Sequence, residues 1–85
     1  MTRDQVLAAV SAERNLQAAM WGGEHDWGVG DCSSTRVPLP IRLAVLLEEV
    51  GEVARAILER ESPERLRAEL VQVAAVAVAI AESLP

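Results

Sequence analysis

The sequence predicts an all-α chain built from three helices, and three observations support this fold class. Apolar residues recur at helical spacing in three separate segments. Capping residues or prolines stand where the helices would begin. The chain has 85 residues, enough for one small domain, and 51% of them are hydrophobic although Phe and Tyr are absent. Three short helices cannot bury so much Ala, Val, Leu and Ile surface alone, so we expect a partner chain.

The first helix is expected over residues 3–20. Thr2 and Gln5 have the spacing of a capping box, in which each side chain satisfies a backbone N–H group at the start of the helix. An apolar stripe then follows one side of the helix, formed by Val6, Leu7, Val10, Leu16 and Met20.

Residues 21–37 interrupt the helical pattern and form a predicted loop, called the 21–37 loop below. They include four of the five glycines and both tryptophans. A stretch of this length without secondary structure is typically a functional lid or a disordered segment. The tryptophans favour an ordered loop, because a large ring packs against a surface.

Two further helices are expected over residues 40–61 and 63–84, and the short connection makes them an antiparallel pair. Pro40 marks the start of the second helix, and Ser62 followed by Pro63 marks the start of the third. The second helix has a wide apolar face that we expect to point into the core, formed by Leu43, Leu46, Leu47, Val50, Ala54, Ile57 and Leu58.

Acidic residues occupy positions on these two helices where apolar residues are expected. Glu49 and Glu52 lie one turn apart beside a second apolar sector of the second helix. Glu69 and Gln72 repeat this spacing on the third helix. If the helices pair, the four side chains can converge, and their oxygen atoms would suit Mg²⁺ or Mn²⁺. Two alternatives remain open: the carboxylates form a solvated surface, and Gln72 makes an interhelical hydrogen bond.

Composition limits the possible partners and the location. The formal net charge of −5 gives no general attraction to nucleic acid or to an anionic membrane, so neither is an expected partner. The longest apolar segment, residues 70–81, is too short to span a bilayer. The single cysteine, Cys32, fits a reducing compartment, and no signal peptide is visible, so we expect a cytoplasmic protein.

Two short motifs on the paired helices resemble those of a known family. The first is EEVGE at residues 48–52, and the second is ELVQ at residues 69–72, after a gap of sixteen residues. Together they resemble the EExxE…ExxD signature of the all-α nucleotide pyrophosphohydrolases, the MazG-like superfamily that includes dimeric dUTPases. Upstream, Glu13-Arg14, Gln17 and Trp21 are similar to the segment that precedes the motif in short MazG-like proteins of bacteria and phages. The resemblance covers most of the chain.

The resemblance implies a four-helix-bundle core assembled as a homodimer or homotetramer. It also implies a Mg²⁺-dependent hydrolase that cleaves a ribo- or deoxyribonucleoside triphosphate into a monophosphate and pyrophosphate, as nucleotide-pool housecleaning. Glu49, Glu52 and Glu69 would be the metal ligands, with Mn²⁺ as a substitute ion. Glu48 and Glu52 would be catalytic groups that act on the attacking water. The family motif usually ends in Asp, whereas Gln72 is a neutral amide that would coordinate through its oxygen and bind cations less tightly.

The first helix and the loop would bind the nucleotide. Trp21 and Trp27 could stack on the base, and Gln17 could read its edge. His25 and Asp26 could touch sugar or phosphate, and the cations available for the phosphate tail are Arg14, Arg36 and Arg42. Alternatively, the tryptophans are core residues and His25 is a structural hydrogen-bonding group. For the whole chain, the alternative is a non-catalytic helical protein of the same descent that serves assembly or nucleotide sensing.

Overall fold

The computed structural model describes all 85 residues and contains three helices. The elements, in chain order, are α1 (Arg3–Trp21), β1 (Glu24–His25), β2 (Gly28–Val29), α2 (Leu39–Leu58) and α3 (Pro63–Ser83). The predicted all-α fold class with three helices is therefore confirmed, and the observed helix ends lie within three residues of the expected ones. None of these helices combines the length and the apolar composition needed to cross a membrane.

Local sequence signals explain where two of the helices begin. At α1 the predicted capping box is present, because the Thr2 hydroxyl accepts from the Gln5 N–H group and the Gln5 side chain accepts from the Thr2 N–H group. At α3 the Ser62 hydroxyl accepts from the Arg65 N–H group at 3.1 Å. Pro63 follows at the first helical position, where its missing N–H group costs nothing.

The end of α2 lies three residues before its predicted position, because Arg60 has a left-handed φ of 54°. The Glu61 N–H group then donates to the Ala56 carbonyl at 2.9 Å, which closes the helix. The chain reverses at once into α3. Arg42 in the first turn of α2 donates to the Ser83 hydroxyl in the last turn of α3, so the two helices are antiparallel as predicted.

α3 is the central helix, since it packs against both α1 and α2. It supplies most of the buried apolar side chains, namely Ala75, Val76, Ala79 and Ile80. The apolar core consists of Val10, Val37, Ala56, Ala75, Val76, Ala79 and Ile80. This core is thin, as expected for a single chain of this length.

The wide apolar face of α2 does not point into the core of the chain. Leu47 and Leu58 on that face are 70% and 82% exposed. The expectation that this face packs inside the chain is therefore wrong. The better buried sector of α2 contains Ala56 and the half-buried Val53, because α3 covers only one side of the helix.

The 21–37 loop is ordered and contains a short hairpin, whereas the sequence predicted no secondary structure there. β1 and β2 pair antiparallel, with Glu24 opposite Val29. Gly28 has a φ of 151°, and a side chain at this position would collide with the carbonyl oxygen of Arg36. The loop therefore folds back tightly on itself, and its two arms touch through backbone atoms.

Candidate functional site

A cavity of about 320 Å³ lies between the 21–37 loop, the end of α1 and the first half of α2. Apolar residues form part of its wall, among them Ile41, Val45 and Val76. Six residues that the sequence analysis singled out also line it, namely Gln17, Trp21, His25, Trp27, Glu48 and Glu49. We call this the aromatic cavity.

Three aromatic rings lie together in the wall of the aromatic cavity. The His25 ring stacks on Trp27, with 5.0 Å between ring centroids and 5° between the ring planes. The Trp21 ring is 5.8 Å from His25 and is tilted by 41°. His25 Nε2–H donates to the Trp21 carbonyl oxygen at 2.9 Å, which ties the hairpin to the end of α1. One face of Trp27 thus stacks on His25, and the residue remains 44% exposed.

Glu49, one of the residues that line the cavity, has an unsatisfied oxygen atom. Its Oε2 atom is buried and has no hydrogen-bond partner. Burial, followed by the negative charge of Glu69, raises the pKa of the Glu49 carboxyl above its usual value, and Glu48, Glu52 and Glu13 act in the same direction. A buried carboxylate oxygen without a partner is costly, so this half-buried group favours either a proton or a cation.

The carboxylates of Glu69 and Glu52 are paired with arginines of their own helices. Glu69 is only 4% exposed, and Arg65, one turn earlier, lies 2.9 Å from its Oε1 atom. Glu52 lies 3.7 Å from Arg55 in a partly exposed pair. No group of three His, Cys, Asp or Glu side chains is arranged to hold a metal ion. The acidic groups of α2 and α3 therefore influence one another electrostatically, and two of them also have an arginine of their own helix nearby.

The donor set is chemically suited to a hard divalent cation. The predicted ligands Glu49, Glu52 and Glu69 offer carboxylate oxygens, and the half-buried Gln72 offers an amide oxygen. The buried Oε2 atom of Glu49 is the group that a cation would satisfy most directly. A cation shared with Glu69 would have to replace Arg65 as the partner of that carboxylate, because the guanidinium already neutralises it.

Several predicted nucleotide contacts lie outside the lining of the aromatic cavity. Asp26 and Arg36 are exposed and do not line it. Arg42 is buried and donates to the Val37 carbonyl oxygen at 2.9 Å. The structure therefore does not bring these three residues into the cavity wall with Trp21, Glu48 and Glu49.

Arg14, another predicted contact, already has two acidic partners. It donates to Asp31 at 2.7 Å and to Glu82 at 3.1 Å. Burial alone would lower the pKa of Arg14, but the hydrogen bonds and charges of Glu82 and Asp31 raise it above the usual value. The guanidinium is thus neutralised within the chain, and a phosphate group would have to compete with both carboxylates.

Three residues near the cavity were not identified as site residues from the sequence. Asp31 and Cys32 line the cavity, and burial, together with the charge of Asp31, raises the pKa of the Cys32 thiol. Cys32 therefore remains protonated at neutral pH. Glu13 lies near enough to Glu49 to oppose its ionisation. The i, i+4 spacing of Glu13 and Gln17, which places both on one face of α1, is the signal that could have identified it.

Comparisons with protein-family models, with curated proteins and with solved structures found no match to this chain. The fold and the site define the class of protein as a small three-helix chain in which an aromatic cavity adjoins partly buried carboxylates.

Proposed function

We propose that this chain is a magnesium-dependent nucleoside triphosphate pyrophosphohydrolase of the MazG-like kind. The observation that carries the proposal is the buried Oε2 atom of Glu49, which has no partner and belongs to a residue in the wall of an aromatic cavity. A cavity that took only apolar ligands would gain nothing from two carboxylates, Glu48 and Glu49, in its wall. A ligand with a flat ring and a cation-bound anionic tail would use both parts.

The aromatic cavity would bind the base and sugar of the nucleotide. The partly exposed Trp27 ring would offer a stacking surface, and the Gln17 amide would offer both a donor and an acceptor to the base edge. A volume of about 320 Å³ lies at the lower end of the range for ligand sites, about 300–1,000 Å³. It suits a nucleoside, with the triphosphate extending past Glu48 and Glu49.

The acidic residues would supply the ion site and the base. Glu49 and Glu69 would hold the cation, with Glu52 and Gln72 as further oxygen donors. When bound, Mg²⁺ neutralises the phosphate charge and makes water a better nucleophile. The water oxygen attacks the α-phosphorus, the bond from that phosphorus to the α–β bridging oxygen breaks, and pyrophosphate leaves. Glu48 would accept the proton of the water, with Glu52 as the alternative base.

We also propose that the chain works as a homo-oligomer. Its exposed surface is 5,770 Å², whereas a compact monomer of this mass exposes about 4,900 Å². The excess of about 900 Å² is close to the roughly 800 Å² that each partner buries in a standard interface. The exposed apolar face of α2 would supply much of that interface, through Leu39, Leu43, Leu47, Val50, Ile57 and Leu58. A second copy covering this face would complete a helical bundle that one chain cannot form.

The activity is tested by incubating the protein with a panel of canonical and modified nucleoside triphosphates and Mg²⁺, and measuring pyrophosphate release. We expect release from at least one of them, loss of release in chelator, and loss of release in Glu49→Gln. Glu24→Gln is the matched control, since Glu24 is an exposed carboxylate outside the aromatic cavity. Absence of release from every nucleotide would contradict the proposed reaction.

The alternative is a nucleotide-sensing or interaction protein without catalysis. The pairing of Glu69 with Arg65, together with the neutral Gln72, favours it, because both features reduce the charge available to a cation. Calorimetry with Mn²⁺ and with a nucleotide separates the two functions. Nucleotide binding without pyrophosphate release would favour the sensor, whereas Mn²⁺ binding that disappears in Glu49→Gln would favour the enzyme.

A further inference from the structure

Two arginines from different helices fasten the 21–37 loop to the same turn of α3. Arg14 on α1 donates from Nη1 to Asp31 in the loop at 2.7 Å and from Nε to Glu82 on α3 at 3.1 Å. The exposed fractions of the Arg14 and Asp31 side chains are 11% and 9%, so water barely screens this pair. Breaking it would leave a charge without its partner in a poorly solvated place.

Arg42 on α2 repeats the arrangement from the opposite side. It is 6% exposed, and its Nε atom donates to the Val37 carbonyl oxygen at the end of the loop at 2.9 Å. Its Nη1 atom donates to the Ser83 hydroxyl, which in turn donates to the Ile80 carbonyl oxygen. The last turn of α3 thus receives both arginines, one through residue 82 and the other through residue 83.

The segment between these two anchors is braced by its own hydrogen bonds. The Asp31 carboxylate accepts from the N–H and hydroxyl groups of Ser33, at 2.9 and 2.6 Å. The Ser34 hydroxyl donates to the Val29 carbonyl oxygen at 2.6 Å, which joins the segment to β2 of the hairpin. Loss of either arginine contact would therefore also loosen the hairpin, which carries Trp27.

We infer that Arg14 and Arg42 are positioning residues that hold the loop wall of the aromatic cavity against the helices. Asp31 and Val37, the two loop residues that they contact, themselves line the cavity. In this arrangement Arg14 acts on a bound nucleotide through Asp31 and the hairpin, and not by contacting phosphate. The expected effect of these arginines on nucleotide binding rests on the proposed function. Their expected effect on the position of Trp27 does not.

The test measures acrylamide quenching of Trp27 fluorescence in a Trp21→Phe background, in which Trp27 is the only tryptophan. Asp31→Asn and Arg14→Gln should each raise the quenching constant about twofold, because the loop opens locally while the helices persist. Far-UV circular dichroism reports whether the helices remain. Glu24→Gln, which removes an exposed carboxylate from the same loop, should leave the quenching constant unchanged.

Nucleotide hydrolysis, measured without the Trp21 substitution, distinguishes positioning from phosphate binding. If Arg14 positions the loop, Asp31→Asn and Arg14→Gln should both raise KM about tenfold, equivalent to about 1.4 kcal/mol, with a smaller change in kcat. If Arg14 binds phosphate, Asp31→Asn frees the guanidinium and lowers KM. A lower KM would overturn the inference.

Two further outcomes are decided by the same measurements. If Asp31→Asn does not fold, Glu82→Gln tests the same network through a half-exposed carboxylate and should give a smaller rise in quenching. Quenching of Trp27 that stays at the Glu24→Gln level in every folded variant overturns the inference. If the unmodified protein hydrolyses no nucleotide, the proposed function fails, but the quenching result still decides whether the arginines position the loop.

Discussion

The Glu69 carboxylate on α3 is the charged group that most strongly opposes ionisation of Glu49 on α2, after the effect of burial itself. Both residues belong to motifs that the sequence alone indicated. Glu69 has Arg65 as its partner, whereas the Oε2 atom of Glu49 has none. The chain itself therefore offers the Glu49 Oε2 atom no partner and disfavours its charge, which is typical of a site organised for binding and not for stability.

The first prediction concerns the stability of Glu49→Gln without metal. The raised pKa means that the folded state is penalised as the pH rises through the usual carboxyl range, so the penalty is present at pH 7 and absent in acid. Removing the charge should raise Tm at pH 7. If removing the penalty raises the free energy of unfolding by about 1 kcal/mol, Tm should rise by about 4–8 °C in a domain of this size.

Divalent ions should reverse this order of Tm between the unmodified protein and Glu49→Gln. Mn²⁺ or Mg²⁺ should raise the Tm of the unmodified protein by mass action and leave that of Glu49→Gln unchanged. Scanning calorimetry with and without chelator checks both parts, with Glu24→Gln as the control. A Glu49→Gln variant that is less stable than the unmodified protein in chelator would show that Glu49 contributes to stability instead.

The second prediction concerns acid unfolding and the Arg14–Asp31 pair. Burial acts to raise the pKa of Asp31, but hydrogen bonds from Ser33 and Arg14 outweigh it, and the net pKa lies below the usual value. The pair therefore stabilises the fold above the unfolded pKa of about 4, and this stabilisation is lost as the pH falls through the lower folded pKa.

Urea unfolding of Asp31→Asn between pH 7 and pH 3 measures this contribution. At pH 7 the variant should be less stable by about 1.5–3 kcal/mol, the usual contribution of hydrogen bonds to charged groups. The difference should shrink below pH 4, because the unmodified protein then loses the same charge. A difference that is independent of pH would indicate that the ionised pair does not contribute.

The third prediction uses two glycines of the loop as a matched pair. Gly28→Ala forces a side chain into a φ of 151° and against the Arg36 carbonyl, and it should cost about 1–3 kcal/mol. Gly23→Ala meets no atom within 4 Å and should change stability by less than about 0.5 kcal/mol. Thermal unfolding and Trp27 fluorescence check the pair. Equal effects of the two substitutions would mean that the close approach at Gly28 is absent in solution.

The features that could be predicted from the sequence are those that depend on neighbouring residues. The capping box of Thr2 and Gln5 and the Ser62 cap act within one helical turn, so their signals are complete in the local sequence. The helical period likewise identified three helices, and the i, i+3 spacing placed Glu49 and Glu52 beside an apolar sector. Gln17, Trp21, His25 and Trp27, which were selected from the sequence as candidate nucleotide contacts, lie in one cavity wall, and their role in nucleotide binding stays a prediction.

The features that could not be predicted depend on which of several equivalent contacts forms. α2 has two apolar sectors, and periodicity does not say which one α3 covers, so the face with Leu47 was wrongly assigned to the core. Arg14 joins residues 17 and 68 positions away, and no local pattern indicates that both partners are acidic groups of this chain. The loop hairpin depends on Gly28 approaching the Arg36 backbone, which is a tertiary contact.

The last prediction concerns the exposed apolar face of α2. Leu47 lies in the middle of this face, and Leu47→Glu places a charge where the proposed partner chain would pack, so association should weaken sharply. Leu84→Glu is the matched control, because Leu84 is 51% exposed but lies beyond α3 and off this face. Sedimentation velocity should give a mass of at least two chains for the unmodified protein and for Leu84→Glu, and a single chain for Leu47→Glu. A monomeric unmodified protein would contradict the proposed homo-oligomer, and a Leu47→Glu variant that associates normally would mean that another surface forms the interface.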